Sequence, residues 1–505
     1  MIKLKFIYPV LVAVTLFSCQ KDEVATPLEN TQNEDLSGYQ EIASINLGGL
    51  GAAEITAFDP STNRLFAVNN GSENKIDVID ISNPSSISVI KSISMTPYGG
   101  YVNSVAVSNG KLAAAIESTN KQALGKIVVF NTTTYAEIKS ITVGSLPDMV
   151  TFTPDGNYII SANEGEPSAD YLNDPEGTIS IIKVSDYSVT TLNFASFESQ
   201  LASLTGKGFR IFGPGKNFNK DIEPEYITVS DDSKTAYVTL QENNAIAEVD
   251  IASATIKKIT PLGFKDYSLA ANAIDVSDRD NKIEFNPVSK LFGIYMPDAI
   301  AYLSYNGTPY LFTANEGDSR EYAAFTEMKR VSAVSLDATN FPTASVLKTD
   351  LNLGRLNVTT TLGDTDSDGD FDALYSLGAR SFSVWNAATG SQVFDSKNEL
   401  DIKAKELAVY DDTRSDDKSV EPEAICIGRV GNKNIAIVGL ERVDAFAIYD
   451  ISIPTAPVFI KMFKTGDAPE GIIFIPASKS PIKQSLIVIS SENDGLVKIY
   501  KTTKL

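Results

Sequence analysis

Pro147-Asp148-Met149-Val150-Thr151-Phe152 runs through Pro154-Asp155-Gly156-Asn157 into Tyr158-Ile159-Ile160-Ser161-Ala162-Asn163-Glu164. Two short runs rich in β-branched and aromatic residues flank a Pro/Gly/Asn/Asp turn, the pattern of an antiparallel strand pair. The same phrase recurs. Pro224-Glu225 leads to Thr239-Leu240-Gln241-Glu242, Pro297-Asp298 to Ala314-Asn315-Glu316, Pro422-Glu423 to Gly439-Leu440-Glu441, and Pro469-Glu470 to Ser490-Ser491-Glu492. Weaker copies start near Glu54 and Asn103 and end near Asn70 and Glu117. Each of the seven copies is followed by a third apolar run, such as Ala245–Asp250 or Ala445–Asp450. Self-similarity at this spacing is the mark of a repeat architecture. The expected fold is all-β: a seven-bladed β-propeller with long insertions on one face. Stacked β-sandwiches are the alternative, but they leave the recurring Pro-acid and Asn-Glu punctuation unexplained.

In such a blade the first strand leaves one rim and the second returns to it. The acid after Pro and the Glu closing the second strand therefore belong to one face. The expected acidic rim is Asp148, Glu164, Glu225, Glu242, Asp298, Glu316, Glu423, Glu441, Glu470 and Glu492, with Glu54 and Glu117 from the weaker copies. The longer connections, 165–177, 194–223, 261–296 and 318–421, open onto the same face, where function usually sits on a rigid scaffold. Clustered carboxylates repel one another. Arg210, Arg320, Arg414, Lys418 and Arg442, together with Arg279, are the candidate ion-pair or anion-binding groups. Three readings stay open: a structural ion-pair belt, a cation-organised binding or catalytic site, and solvated acids with no role.

The rest of the chain is consistent with an exported protein. It has 505 residues, 43 Lys and Arg against 64 Asp and Glu, a net charge of -21 and no His. The charge argues against nucleic acid as partner. The lack of His excludes Ser-His-Asp and Cys-His catalysis, His-ligated haem and His-containing zinc sites. Of the two Cys, Cys426 lies in an apolar run and reads as a buried small hydrophobe. Cys19 follows a basic start, an apolar stretch and Leu16-Phe17-Ser18, which resembles a bacterial lipobox. Residues 1–18 then read as a lipoprotein signal peptide, 19–38 as a flexible tether and 39–501 as the β domain. Gln20-Lys21-Asp22-Glu23 is similar to an export signal for the outer face of the outer membrane. The expected location is therefore the outer membrane, lipid-anchored through Cys19 and facing outward.

Within the 318–421 insertion, Asp364-Thr365-Asp366-Ser367-Asp368-Gly369-Asp370-Phe371-Asp372 places an acid at every second position. It resembles the first nine positions of an EF-hand or dockerin-type calcium loop. Asp364, Asp366, Asp368, Asp370 and Asp372 are the candidate metal ligands, and calcium the expected cofactor. Tyr375 stands where such a loop has Glu, so a stand-alone calcium staple and an ordinary acidic turn are both open.

Several segments together resemble the choice-of-anchor I family. They are Arg210–Gly215, Glu223–Ile227, Leu240–Asn244, Thr313–Tyr322, Asp364–Asp372, Gly378–Ser383 and Arg414–Lys418. That family is similar to the mesenchyme-specific cell surface glycoprotein group and to YVTN/WD40-like propellers. The resemblance implies an extracytoplasmic propeller whose members differ in their anchor, here a bacterial lipoprotein, and it supplies no established reaction. The function expected is a lipid-anchored cell-surface binding or scaffold module. It would use an acidic, calcium-bearing face to engage an unknown surface protein or small-molecule ligand. The alternative is a calcium-dependent phosphoesterase resembling β-propeller phytases, with Glu164, Glu225, Glu242 and Glu316 on metal and Arg210, Arg320 or Lys418 on phosphate. No nucleophile-base pair is identifiable, which favours binding over catalysis.

Overall fold

The computed structural model describes residues 34–504. Cys19 and the proposed signal and tether up to residue 33 lie outside the described residues. Among the described residues no helix is long and apolar enough to cross a membrane.

Each copy of the sequence repeat opens with a strand: β1 (Thr56–Asp59), β2 (Val102–Ser108), β3 (Pro147–Phe152), β4 (Pro224–Val229), β5 (Ile300–Tyr305), β6 (Pro422–Val430) and β7 (Pro469–Ile475). Each belongs to an antiparallel four-stranded sheet. In the β3 sheet the later strands are Tyr158–Asn163, Thr178–Lys183 and Val189–Leu192. The second and third strands are buried almost end to end, which is why they read as unbroken apolar runs instead of alternating ones. The outer strands, such as Val189–Leu192, face water. Side chains from adjacent sheets interlock. Phe66, Val68 and Val78 pack with Val105, Leu112, Ala114 and Val128, and each fully buried side chain of this size contributes roughly 1.5–3 kcal/mol. The opening strands lie side by side in chain order, and β7 also touches β1.

The expected seven-bladed propeller is corrected by the sheet count. The described strands form ten separate small sheets, none joined to another by strand pairing and none closed on itself. The insertions supply the three extra sheets. Leu291–Ile294 sits between Phe264–Asp266 and Leu374–Leu377, pairing parallel with the latter. Glu321–Tyr322 with Phe325–Thr326, and Met328–Arg330 with Asn357–Thr359, make two further pairs. The physical reason is that these segments carry a core of their own, with Tyr267, Leu291, Val331, Phe341, Leu356, Val358 and Leu374 packed together. Conversely, Ser381–Asn386 and Ser391–Asp395, inside the stretch read as insertion, complete the β5 sheet.

A β-bulge falls on the acid after Pro. The ladder register slips between Pro147 and Met149, Pro224 and Ile227, Pro422 and Ile425, and Pro469 and Gly471. A bulge re-aims a side chain out of the regular pleat. Asp148, Glu225, Glu423 and Glu470 are thereby turned toward the space between the opening strands. In β2 the slip falls on Asn103, whose amide donates to the Pro147 carbonyl at 3.1 Å.

The Asn of the Asn-Glu pair is a brace. Asn163 donates to Thr178 Oγ1 and Ser180 Oγ at 3.1 and 3.0 Å, and Asn315 donates to Ser383 Oγ at 2.9 Å. Each ties the second strand to the third and releases the following Glu at the strand end. Glu316 is fixed from below by Gly317 and Gly378, both left-handed at φ +82° and +71°. A Cβ on Gly378 would stand 2.1 Å from the Glu316 carbonyl oxygen. Gly378→Ala is therefore expected to destabilise the fold by about 1–3 kcal/mol in urea unfolding. A cost below about 0.5 kcal/mol would show that this corner is loose.

Candidate functional site

The bulged acids and the strand-end glutamates meet in an open cavity of about 330 Å³. Asp148, Glu164, Glu225, Asp298, Glu316, Asp318, Glu423, Glu441 and Glu470 line it with Gln241, and only Lys418 and Arg442 oppose them. Below, the space narrows to about 60 Å³ between Asp148, Asp298, Glu470, Met149 and Tyr226. Most of the expected rim is therefore brought together. Glu492 stands with Glu54 and Glu470, outside the cavity lining. Glu242 packs beside Glu164 and Glu225. Arg210, Arg320 and Arg414 stand behind the wall in ion pairs.

One half of the cavity is neutralised. Lys418 Nζ lies 2.7 Å from Glu316 and 3.1 Å from Glu421. Arg442 reaches Glu441 at 2.7 Å and Glu421 at 3.3 Å, and Arg414 completes the set on Glu421 and Asp417. Burial would push Glu421 up, but Lys418, Arg414 and Arg442 hold it below the usual carboxylate range. Glu316, Glu421 and Glu441 come close enough to share an ion. Three cationic side chains already fill that role.

The other half is not neutralised. Carboxylate oxygens of Glu164, Glu225 and Glu242 lie within 4.8 Å of one another. Among the described residues no Lys or Arg pairs with them. Glu225 and Glu242 are only 7% and 5% exposed, and an oxygen of each (Oε2) has no hydrogen-bond partner. Burial first, and then neighbouring carboxylates, push Glu164 and Glu225 well above the carboxylate range. Burial lifts Glu242 to about 7 against the pull of Arg320. A cation beside such groups would favour their ionised form. This cluster of acids can chelate a divalent metal ion.

The two buried arginines nearby, Arg210 and Arg320, are engaged elsewhere. Arg320 is buried between Asp221 and Glu223, at 2.7 Å from the latter, and donates to the Asp221 carbonyl at 3.0 Å. Arg210 pairs with buried Glu327 and donates to the Glu242 carbonyl at 3.1 Å. Their guanidiniums lie 4.6 and 4.1 Å from the Phe212 ring centre. Asp221, Glu223, Glu327 and Glu421 were not among the expected site residues. The signal for two of them is an acid immediately before the motif proline, Glu223-Pro224 and Glu421-Pro422. Tyr322 was missed as well. Its ring packs on Tyr171 at 5.3 Å, and burial followed by Glu166, Glu223 and Glu164 pushes its hydroxyl far up. The hairpin that carries it is tied to the 165–177 loop by Ala324 N–H to the Ala169 carbonyl at 3.0 Å.

The Asp364–Asp372 loop stands apart from the cavity. Asp364, Asp366 and Asp372 form one group, and Asp337, Asp370 and Asp372 another. Much of the carboxylate capacity is taken locally. Asp364 accepts from the amides of Ser367 and Gly369 at 2.7 and 3.1 Å, Asp368 from Asp370 at 3.1 Å, and Asp372 from Thr365 at 2.9 Å. The acids could gather round a metal in general, but nothing in them selects calcium.

These findings correct the expected function. Neither a calcium-specific face nor a lipid anchor is seen, and nothing among the described residues supports a lipoprotein or an outer-membrane location. The phosphoesterase alternative fails on its clamp, because Arg210, Arg320 and Lys418 are already paired with Glu327, with Asp221 and Glu223, and with Glu316 and Glu421.

Comparison with known proteins agrees with the domain. Gigasin-3a of Magallana gigas is 28% identical over 185 residues, 30% of this chain and 65% of that protein. The mesenchyme-specific cell surface glycoprotein of Strongylocentrotus purpuratus is 25% identical over 336 residues, 55% of this chain and 42% of that protein. The chain thus spans less than two thirds of either relative. Among solved structures, Kuenenia stuttgartiensis hydrazine synthase aligns with a TM-score of 0.50 at 11% identity, over 90% of this chain and 97% of that one. The WD40 domain of Toxoplasma gondii coronin gives 0.50 at 8% identity, over 94% and 89%. At these identities the likenesses bear on the fold alone. The choice-of-anchor I domain model matches residues 54–454, most of the chain from the first opening strand to just past the third strand of the β6 sheet, and the protein belongs to the choice-of-anchor I family.

Proposed function

We propose that the chain is a divalent-cation-binding protein whose ion sits between Glu164, Glu225 and Glu242. The observation that carries this is the pair of buried, unpartnered oxygens on Glu225 and Glu242, grouped with Glu164 beside a cavity in which Glu316 and Glu441 are already held by Lys418 and Arg442. An all-oxygen donor set suits a hard cation. Calcium is the finer proposal. It accepts six to eight oxygens in irregular geometry, whereas magnesium demands a near-ideal octahedron. Three carboxylates leave coordination positions open toward the cavity, where an oxygen-bearing group of a small molecule or partner protein completes the shell.

The test is calorimetric titration of metal-free protein with calcium, magnesium and manganese. Calcium should bind, and Glu225→Gln and Glu242→Gln should each weaken it by about tenfold or more, since each removes a charged ligand. The Asp366→Asn, Asp368→Asn double variant separates any contribution of the exposed loop. Absence of binding, or binding left unchanged in both Gln variants, would remove the site. Preference for another divalent ion would leave the site and replace calcium.

A further inference from the structure

The 264–421 region holds a second cavity, of about 480 Å³, remote from the acidic one in its residues and its chemistry. Its size is within the roughly 300–1,000 Å³ range of small-molecule sites. The inner wall is apolar and comes from the insertion's own core: Ile274, Val288, Phe341, Leu347 and Leu353. Asp275 lies at the edge of this wall, only 3% exposed. Its carboxylate accepts the Glu284 amide at 3.0 Å and the Ser277 amide at 3.4 Å, which leaves lone-pair capacity on both oxygens. Asp280 and Glu284 add two carboxylates, and no basic residue lines the space. The buried Arg380 beneath is turned away, donating to the main-chain carbonyls of Asp275, Ser415 and Asp417.

An apolar wall with a buried carboxylate at one end and two more acids around it fits one ligand class. We propose that this cavity binds a small organic ammonium ion, its hydrocarbon body against Phe341, Leu347 and Leu353 and its charged nitrogen on Asp275. Inorganic cations match the acids but leave the apolar wall wet. Anions meet three carboxylates, and neutral apolar molecules leave Asp275 without a counter-charge. The ammonium nitrogen supplies up to three donors to a carboxylate that, among the described residues, accepts only the amides of Ser277 and Glu284.

The experiment uses 2-phenylethylamine as probe on the full chain, read by calorimetry and ligand-observed NMR, with 2-phenylethanol and phenylacetate as neutral and anionic counterparts. The amine should bind with one-to-one stoichiometry. The alcohol should bind about tenfold more weakly or not at all, and phenylacetate should not bind. Asp275→Asn should weaken the amine by about tenfold, the loss of one charge-assisted contact. If that variant melts early, the more exposed pair Asp280→Asn and Glu284→Gln serves in its place, with a smaller loss expected. Leu347→Trp should fill the cavity and abolish binding. Glu225→Gln, in the acidic cavity, should leave it unchanged, which separates this site from the proposed metal site. No binding to folded wild-type protein, equal binding of the alcohol, or binding that survives Leu347→Trp but not Glu225→Gln would overturn the assignment.

Discussion

Arg320→Met should cost about 3–5 kcal/mol of folding stability, the largest single-residue effect expected outside the hydrophobic cores. The guanidinium is 3% exposed and lies between Asp221 and Glu223, themselves at 5% and 1%. Removing it leaves two buried carboxylates facing each other without a counter-charge. Asp221 still receives the amides of Phe212 and Gly213, but Glu223 has lost its charged partner. Lys at this position should recover only part of the loss. Its single ammonium replaces a planar fork that now serves two carboxylates and a carbonyl. Adding Asp221→Asn and Glu223→Gln to Arg320→Met should restore much of the stability. Urea unfolding of the four proteins is the measurement. A cost below about 1 kcal/mol for Arg320→Met would show that water enters this region freely.

The metal-free protein should lose stability as pH rises from about 5 to 8, the reverse of ordinary acid denaturation. Burial, then Glu492, lifts Glu54 to about 8, with Asp148 adding to the rise and the Asn70 amide opposing it. The folded protein thus keeps a proton that the unfolded chain releases near its ordinary value of 4.5. Where the folded state binds more protons, stability falls with rising pH. The contribution is fully present below about 4.5 and is lost as pH passes through about 8. With a discount for the partial hydration of this half-buried group, the change is on the order of 2–3 kcal/mol. Glu54→Gln should flatten this part of the profile and leave the variant more stable than wild type at pH 8. Parallel pH profiles for the two proteins would mean that Glu54 titrates normally.

The strand pairs were legible because a buried second strand reads as an unbroken apolar run and a turn needs Gly, Asn, Asp or Pro. Asp148, Glu225, Glu423 and Glu470 were legible as one group because the same proline precedes each. What the pattern does not carry is the number of sheets. Leu291–Ile294 meets Leu374–Leu377 across a long stretch of chain, and parallel pairing over such a distance leaves no periodic trace. Nor does it carry which acids are neutralised. Lys418 and Glu316, or Arg320 and Glu223, are brought together only by tertiary packing. Sequence alone therefore weighs Glu164 and Glu316 equally, whereas the structure pairs one and leaves the other bare. The bulge that turns each acid inward was equally hidden, since it inserts a residue without changing composition.

The strand Glu34–Asn46 is hydrogen-bonded along Leu496–Lys504, so the first described segment of the chain is the outermost strand of the β7 sheet. During synthesis that strand has no partner until the ribosome has delivered the last one. The other four-stranded sheets can form as they emerge, while this one waits for both ends. Until then its edges are open to pairing with another chain. Once made, the junction pairs two strands far apart in the chain, Glu34–Asn46 and Leu496–Lys504. Deleting a few residues within Glu34–Asn46 or Leu496–Lys504 should therefore shorten the native lifetime.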